Sequence, residues 1–115
     1  MPLHGVVVYE ILPDSCLNGV YANDWANNAE GRNELYNEIA RKKVGEDKTS
    51  IPGRYDCFYF DLLNEECPCD LTIDVHPNRG HFRFQWFEKG TTNRIFEGSG
   101  WLTRNNQITV SYRSS

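Results

Sequence analysis

The sequence predicts a mainly β protein, an antiparallel meander that closes into a small barrel, with one short helix after the second strand. Aromatic residues make up 13% of the 115 residues, against a single methionine, and aromatic rings pack well on the faces of a pleated sheet. From residue 53 onward, apolar and polar residues alternate in short runs separated by turn residues, which is typical of consecutive antiparallel strands. The length suits one domain over residues 1–115.

Two strands and the helix are predicted in the N-terminal part of the chain. The β-branched run 5–12 is the first strand, and residues 17–21 are the second. The segment 33–44 carries apolar residues at helical spacing: Leu35, Tyr36, Ile39, Ala40 and Val44. Glu38 lies four residues before Lys42, a favourable pair on a helix, so we expect a helix here. A strand is the competing interpretation, because part of the segment also alternates.

The next hairpin can be put in register from its sequence. Pairing around the turn 77–80 sets His76 opposite His81. Three apolar pairs then share one face: Val75 with Phe82, Ile73 with Phe84, and Leu71 with Trp86. Asp74 and Arg83 form an opposite-charge pair on the other face. A slip of one residue would put Asp74 among the aromatic rings, so the register is well specified.

The last two hairpins together predict a β-bulge. Pairing Glu88 with Arg94 places large rings opposite an aromatic residue and two glycines: Trp86 with Phe96, Phe84 with Gly98, and Phe82 with Gly100. The final hairpin turns at residues 105–106 and pairs Trp101 with Val110, Thr103 with Ile108, and Ser99 with Tyr112. The two registers disagree about one strand. The first puts Phe96, Gly98 and Gly100 on its core face, whereas the second puts Trp101 there. We therefore expect a bulge within 98–100 and a sharp bend there, as in a small barrel.

The strand pattern resembles the calycin group of barrels, which includes lipocalins and avidins. Residues 17–21, LNGVY, are similar to the glycine-plus-aromatic element of the first strand in that group, with Tyr21 where tryptophan is usual. Segments 96–101 and 108–112 resemble its closing strands. The resemblance implies a calycin-like barrel and leaves the identity of any ligand open, because a shared fold does not carry a function with it.

Charge and hydropathy exclude several classes of partner. The formal net charge is −4 and the sequence pI is about 5.3, whereas binding to a phosphate backbone needs clustered Lys and Arg. We therefore expect no nucleic acid partner. The sequence has no apolar run of about 18 residues and no stretch like a signal peptide, so we expect no membrane partner and a cytoplasmic location.

Cysteine is the residue type with the most specific chemistry here, at Cys16, Cys57, Cys67 and Cys69. Cys67 and Cys69 are separated by one residue, whereas zinc ligands are typically separated by two to four. A metal site would need Cys57 and His76 or His81 as further ligands. Acidic neighbours disfavour a nucleophilic thiolate. We therefore expect reduced thiols, with no metal and no cofactor.

The aromatic residues remain as candidates for a binding site, because ligand pockets are apolar clefts with a few polar groups. We expect a non-enzymatic barrel that binds a small apolar or aromatic molecule through one mouth. The predicted lining residues are Trp25, Trp86, Trp101, Tyr112 and Arg83.

Two other functions stay open at this point. One is an interaction or inhibitory module whose acidic segment 61–74 steers a basic protein partner. The other is an isomerase-type enzyme that uses His76, His81 and Asp74, which lie near one turn.

Overall fold

The structure, a computed structural model, describes residues 3–24, 35–61, 65–76 and 80–115. Over these residues, eight strands form a closed antiparallel barrel in chain order, with β1 paired to β8. The strands are β1 (His4–Ile11), β2 (Leu17–Asn23), β3 (Tyr36–Lys42), β4 (Gly53–Phe60), β5 (Glu66–His76), β6 (His81–Glu88), β7 (Arg94–Arg104) and β8 (Gln107–Ser114). A 3₁₀ turn at Pro13–Ser15 joins β1 to β2. The predicted mainly β barrel is confirmed.

The helix expected at 33–44 is wrong, since strand β3 occupies the centre of that segment. Three of the five apolar residues that suggested a helix are exposed: Leu35 (70%), Ile39 (38%) and Val44 (100%). The buried residues of the strand alternate instead: Tyr36, Glu38, Ala40 and Lys42. The prediction failed because Glu38 and Lys42 point into the barrel, where each has hydrogen-bond partners, so polar residues take core positions.

The register predicted from the sequence is correct for β5 with β6 and for most of β6 with β7, and wrong for β7 with β8. All the predicted pairs between β5 and β6 are present. Between β6 and β7 the predicted pairs hold as far as Trp86 with Phe96, and a register shift then places Phe87, not Glu88, opposite Arg94. The pairs predicted for β7 and β8 are one residue out, since Trp101 faces Thr109.

The bulge between β7 and β8 is close to the hairpin turn rather than within 98–100. The register shifts between Leu102 and Arg104, so the extra residue is taken up next to the turn and both glycines keep regular pairing. As a result Trp101 is on the outer face of the barrel, 47% exposed, instead of in the core. Gly100 in turn lies inside, opposite Val110.

One end of the barrel is filled by a buried lysine. The Nζ of Lys42 donates hydrogen bonds to the carbonyl oxygens of Asp47 (2.5 Å) and Pro52 (2.7 Å), and it lies 5.3 Å from the centre of the Tyr55 ring. The hydroxyl of Tyr55 donates to the carbonyl of Ile51 at 2.5 Å. These contacts tie the β3–β4 connection over that end. No helix in the part of the chain that the structure describes is long and apolar enough to cross a membrane.

Substitution of Gly100 tests the close packing of β6, β7 and β8. A Cβ atom at this position would lie 2.8 Å from Cε1 of Phe84 and 2.9 Å from Cγ2 of Val110, so Gly100→Ala forces core side chains to move. We expect it to lower the free energy of unfolding by about 1–3 kcal/mol, measured by denaturant titration. Ser99→Ala, on the outer face of the same strand, is the control and should change stability by less than about 0.5 kcal/mol. Equal effects of the two substitutions would contradict this packing.

Candidate functional site

A cavity of about 50 Å³ lies inside the barrel, at the end away from Lys42. Its lining comes from six strands: Tyr21, Asn23, Glu38, Tyr59, Trp86, Phe96 and Tyr112. Glu38 and Trp86 are buried and form its floor, whereas Asn23, Tyr59 and Phe96 are half-buried and form its rim. The cavity therefore has a buried carboxyl at its base and reaches towards the surface between aromatic rings.

Five aromatic residues, which we call the aromatic cage, form the walls of this cavity: Tyr21, Tyr59, Trp86, Phe96 and Tyr112. Phe96 meets the rings of Tyr59, Trp86 and Tyr112 at 87–89°, with centroids 5.8–6.5 Å apart. Tyr21 meets Tyr59 at 82°. Trp86 and Tyr112 are tilted by 56°, so the five rings do not form one stacked layer, and they reach the cavity from five different strands.

Glu38 is the charged residue of the cavity floor and is 6% exposed. Its Oε2 accepts hydrogen bonds from the hydroxyl of Tyr9 and from Nε1 of Trp86, the latter at 3.2 Å. Burial raises the pKa of Glu38, and the hydrogen bonds from Tyr9, Trp86 and Cys57 partly oppose that rise. The site thus holds a carboxyl group whose partners are neutral side chains.

The other titratable side chains around Glu38 stay neutral at ordinary pH. Burial raises the pKa of Tyr59 and Tyr112 to about 12 and raises the pKa of Tyr9 as well. The hydrogen bond with Cys69 is the main cause that raises the pKa of Cys57. Within the described lining of the cavity, the change of charge between acidic and neutral pH is therefore that of Glu38.

A second concavity, the outer groove, lies on the outside of the barrel and has a volume of about 520 Å³. It is lined by His4, His76, His81, Arg83, Glu97, Gly98, Ser99, Trp101, Ser111, Tyr112 and Arg113. The rings of His76 and His81 stack with centroids 4.9 Å apart, and Trp101 lies 5.0 Å from His81. Glu97 is paired with Arg113 at 2.8 Å. This groove is open and mixed in charge.

The predicted lining residues divide between these two places. Trp86 lines the interior cavity, and Arg83 and Trp101 line the outer groove. Tyr112 contributes to both. Trp25 lies outside the described residues.

Sequence reasoning missed Glu38 and most of the aromatic cage as a site. The available signal was the competing strand interpretation, since a strand puts Tyr36, Glu38 and Ala40 on the face opposite Ile39. The helical spacing of the apolar residues and the Glu38–Lys42 pair favour a helix over that strand.

The residues considered for metal binding lie on two sides of the barrel, whereas those considered for isomerase chemistry share its outer face. Cys57 is buried in the interior, whereas His76 and His81 stack beside the outer groove. Asp74 is exposed opposite Arg83. Across residues 3–24, 35–61, 65–76 and 80–115, no group of three or more His, Cys, Asp or Glu side chains could hold a metal ion.

Comparison with known proteins gives no relative for this chain. A scan against protein-family models and searches of curated proteins and of solved structures found no match. The function is therefore argued from the geometry of the barrel.

The charge of Glu38 predicts an unusual pH dependence of stability. Because its pKa is higher in the folded protein than in the unfolded chain, its stabilising contribution is complete below the unfolded pKa and is lost as pH rises through the folded pKa. Relative to Glu38→Gln, the wild type should lose unfolding free energy above about pH 4, at up to about 1.4 kcal/mol per pH unit. Denaturant titrations from pH 4 to pH 8 measure this difference.

Glu97→Gln is the matched control and should give the opposite sign. The hydrogen bond from Arg113 lowers the pKa of Glu97, so this carboxylate stabilises the fold above its unfolded pKa and the effect is lost in acid. Glu97→Gln should thus be less stable than the wild type at neutral pH. A pH-independent difference between wild type and Glu38→Gln would contradict the raised pKa.

Proposed function

We propose that the protein is a calycin-like, non-enzymatic barrel that binds a small molecule in its interior cavity. The observation that supports this most is the aromatic cage, which surrounds a space with the buried carboxyl of Glu38 at its floor. Apolar walls with a few fixed polar groups are the usual makeup of a ligand pocket. The walls exclude water, and the carboxyl orients the ligand.

The volume of the cavity limits the size of the ligand. Most of the barrel interior is filled by fully buried side chains such as Tyr9, Leu71 and Phe84, as expected for eight strands. The remaining 50 Å³ is room for about four water-sized groups, at roughly 10–15 Å³ each. The ligand, or the part of it that enters the barrel, is therefore small.

The outer groove is a second candidate site, favoured by the exposed ring of Trp101. This ring lies on His81, with Arg83 and Arg113 lining the same groove. Those residues suit a planar ligand with a negative group, because Arg donates paired hydrogen bonds to anions. The groove lacks the enclosure of the interior cavity, so we place the main site inside.

The acidic surface gives less support to a protein-binding function. Asp70, within the acidic segment 61–74, lies 2.9 Å from Nζ of Lys43 and 3.0 Å from Nζ of Lys89. Both lysines also pair with Asp56. This mutual neutralisation reduces the negative field that would steer a basic partner.

Tryptophan fluorescence tests the proposed function and its location. Small neutral and charged organic molecules are titrated into the wild type, Trp101→Phe and Trp86→Phe. A ligand in the interior should change the emission of the wild type and of Trp101→Phe, and the change should be lost in Trp86→Phe, because Trp86 lines the cavity.

Two outcomes would overturn this proposal. A signal that is kept in Trp86→Phe and lost in Trp101→Phe would place the ligand in the outer groove. No response from any molecule, confirmed by calorimetry, would contradict small-molecule binding itself.

A further inference from the structure

We infer that the interior cavity, taken as the ligand site proposed above, selects a methylated ammonium cation. The aromatic cage and the carboxyl of Glu38 together are the chemistry that recognises such a group, and they meet in one cavity. Cations are attracted to the faces of aromatic rings within about 6 Å of the ring centre.

The first support is the electrostatic imbalance of the cavity. Its described lining contains one carboxyl group, that of Glu38, and no Lys, Arg or His side chain. The hydrogen bonds that Glu38 accepts come from Tyr9, Trp86 and Cys57, which are neutral. A buried carboxylate is costly unless a positive charge is close to it. A bound cation would supply that charge.

The second support is the arrangement of the rings. The rings come from five different strands, β2, β4, β6, β7 and β8, and so line the cavity from several directions. A compact cation at its centre is then surrounded by aromatic groups on several sides. Each cation–ring interaction contributes about 0.5–2 kcal/mol, most where water is excluded.

The third support is the mostly aromatic lining of the cavity, which suits a methylated ammonium better than a metal cation. Metal cations such as Mg²⁺ and Ca²⁺ need about six oxygen ligands. The described lining offers one carboxyl group, and most of its members are aromatic side chains. A methylated ammonium needs one partner of opposite charge, and its methyl groups pack on the rings.

Among the described side chains that line the cavity, Glu38 is the one whose titration should make binding of the cation depend on pH. The titratable groups on the other strands around Glu38 are Tyr9, Tyr21, Cys57, Tyr59, Cys69 and Tyr112. Burial raises the pKa of each of these tyrosines, and the hydrogen bond with Cys69 raises that of Cys57. Affinity for the cation therefore rises with pH as Glu38 loses its proton, by up to about tenfold per pH unit.

The test compares a cation with a neutral molecule of the same shape. Choline and 3,3-dimethyl-1-butanol differ by a positive nitrogen in place of carbon, and each is titrated into the full chain by calorimetry. We expect choline to bind at least about tenfold more tightly at pH 8, which corresponds to about 1.4 kcal/mol. Its affinity should fall towards that of the alcohol as pH is lowered.

Glu38→Gln should remove the preference for choline, while Glu10→Gln, with the same change of net charge at an exposed position of β1 that lines neither concavity, should keep it. If Glu38→Gln does not fold, Tyr59→Leu replaces it, since this rim residue is half-buried. Loss of that ring should weaken choline by about two- to fivefold, for one ring at an accessible site, and leave the alcohol unchanged.

The outcomes separate this inference from the proposed function. If the alcohol binds as tightly as choline, or if Glu38→Gln keeps the preference, the cation inference is wrong and small-molecule binding in the cavity stands. If neither compound binds and no other small molecule does, the proposed function is wrong as well.

Discussion

Glu38 connects three strands of the barrel from the inside. Its carboxyl, carried by β3, accepts hydrogen bonds from Tyr9 on β1 and Trp86 on β6, strands that lie far apart in sheet order. A buried carboxyl without such donors would be expensive, since each lost hydrogen bond leaves a desolvated acceptor. The positions of Tyr9 and Trp86, and with them the floor of the cavity, therefore depend on this one side chain.

The barrel interior is divided along its axis by the inward residues of β3. Lys42 fills one end with its ammonium bound to loop carbonyls, and Ala40 lies in the packed centre. Glu38 then marks the start of the cavity, where the aromatic cage begins. The ammonium of Lys42 and the carboxyl of Glu38 thus lie at opposite ends of the barrel interior, and the packed layer around Ala40 separates them. A filled core and a small cavity coexist in one barrel.

The sequence predicts a strand register correctly where a pair of opposite charges and the apolar pattern require the same alignment. The pairing of Asp74 with Arg83 beside an apolar face defined the register of β5 and β6. The predicted position of the bulge, at the glycines of 98–100, is wrong because a one-residue shift can be absorbed anywhere along a hairpin. In fact the shift occurs beyond Leu102, which turned Trp101 outward. Periodicity alone does not fix where such a shift occurs.

β3 shows why the site itself was harder to predict than the fold. Sequence patterns assume that apolar residues face the core, but Glu38 and Lys42 are buried and Ile39 is exposed. The rule fails where polar groups are held inside by specific partners, which is also where binding chemistry is found. Local spacing then favoured a helix, because the partners of Glu38, Tyr9 and Trp86, are distant in sequence.

The most direct test is the pKa of the Glu38 carboxyl, measured by carbon-13 NMR with and without tetramethylammonium. We expect a pKa above the ordinary value of about 4.3 in the free protein, because of burial. Saturation with the cation should lower it, since a positive charge in the cavity favours the carboxylate. An ordinary pKa in the free protein, or a raised pKa that the cation leaves unchanged, would contradict a buried carboxyl that receives a cation.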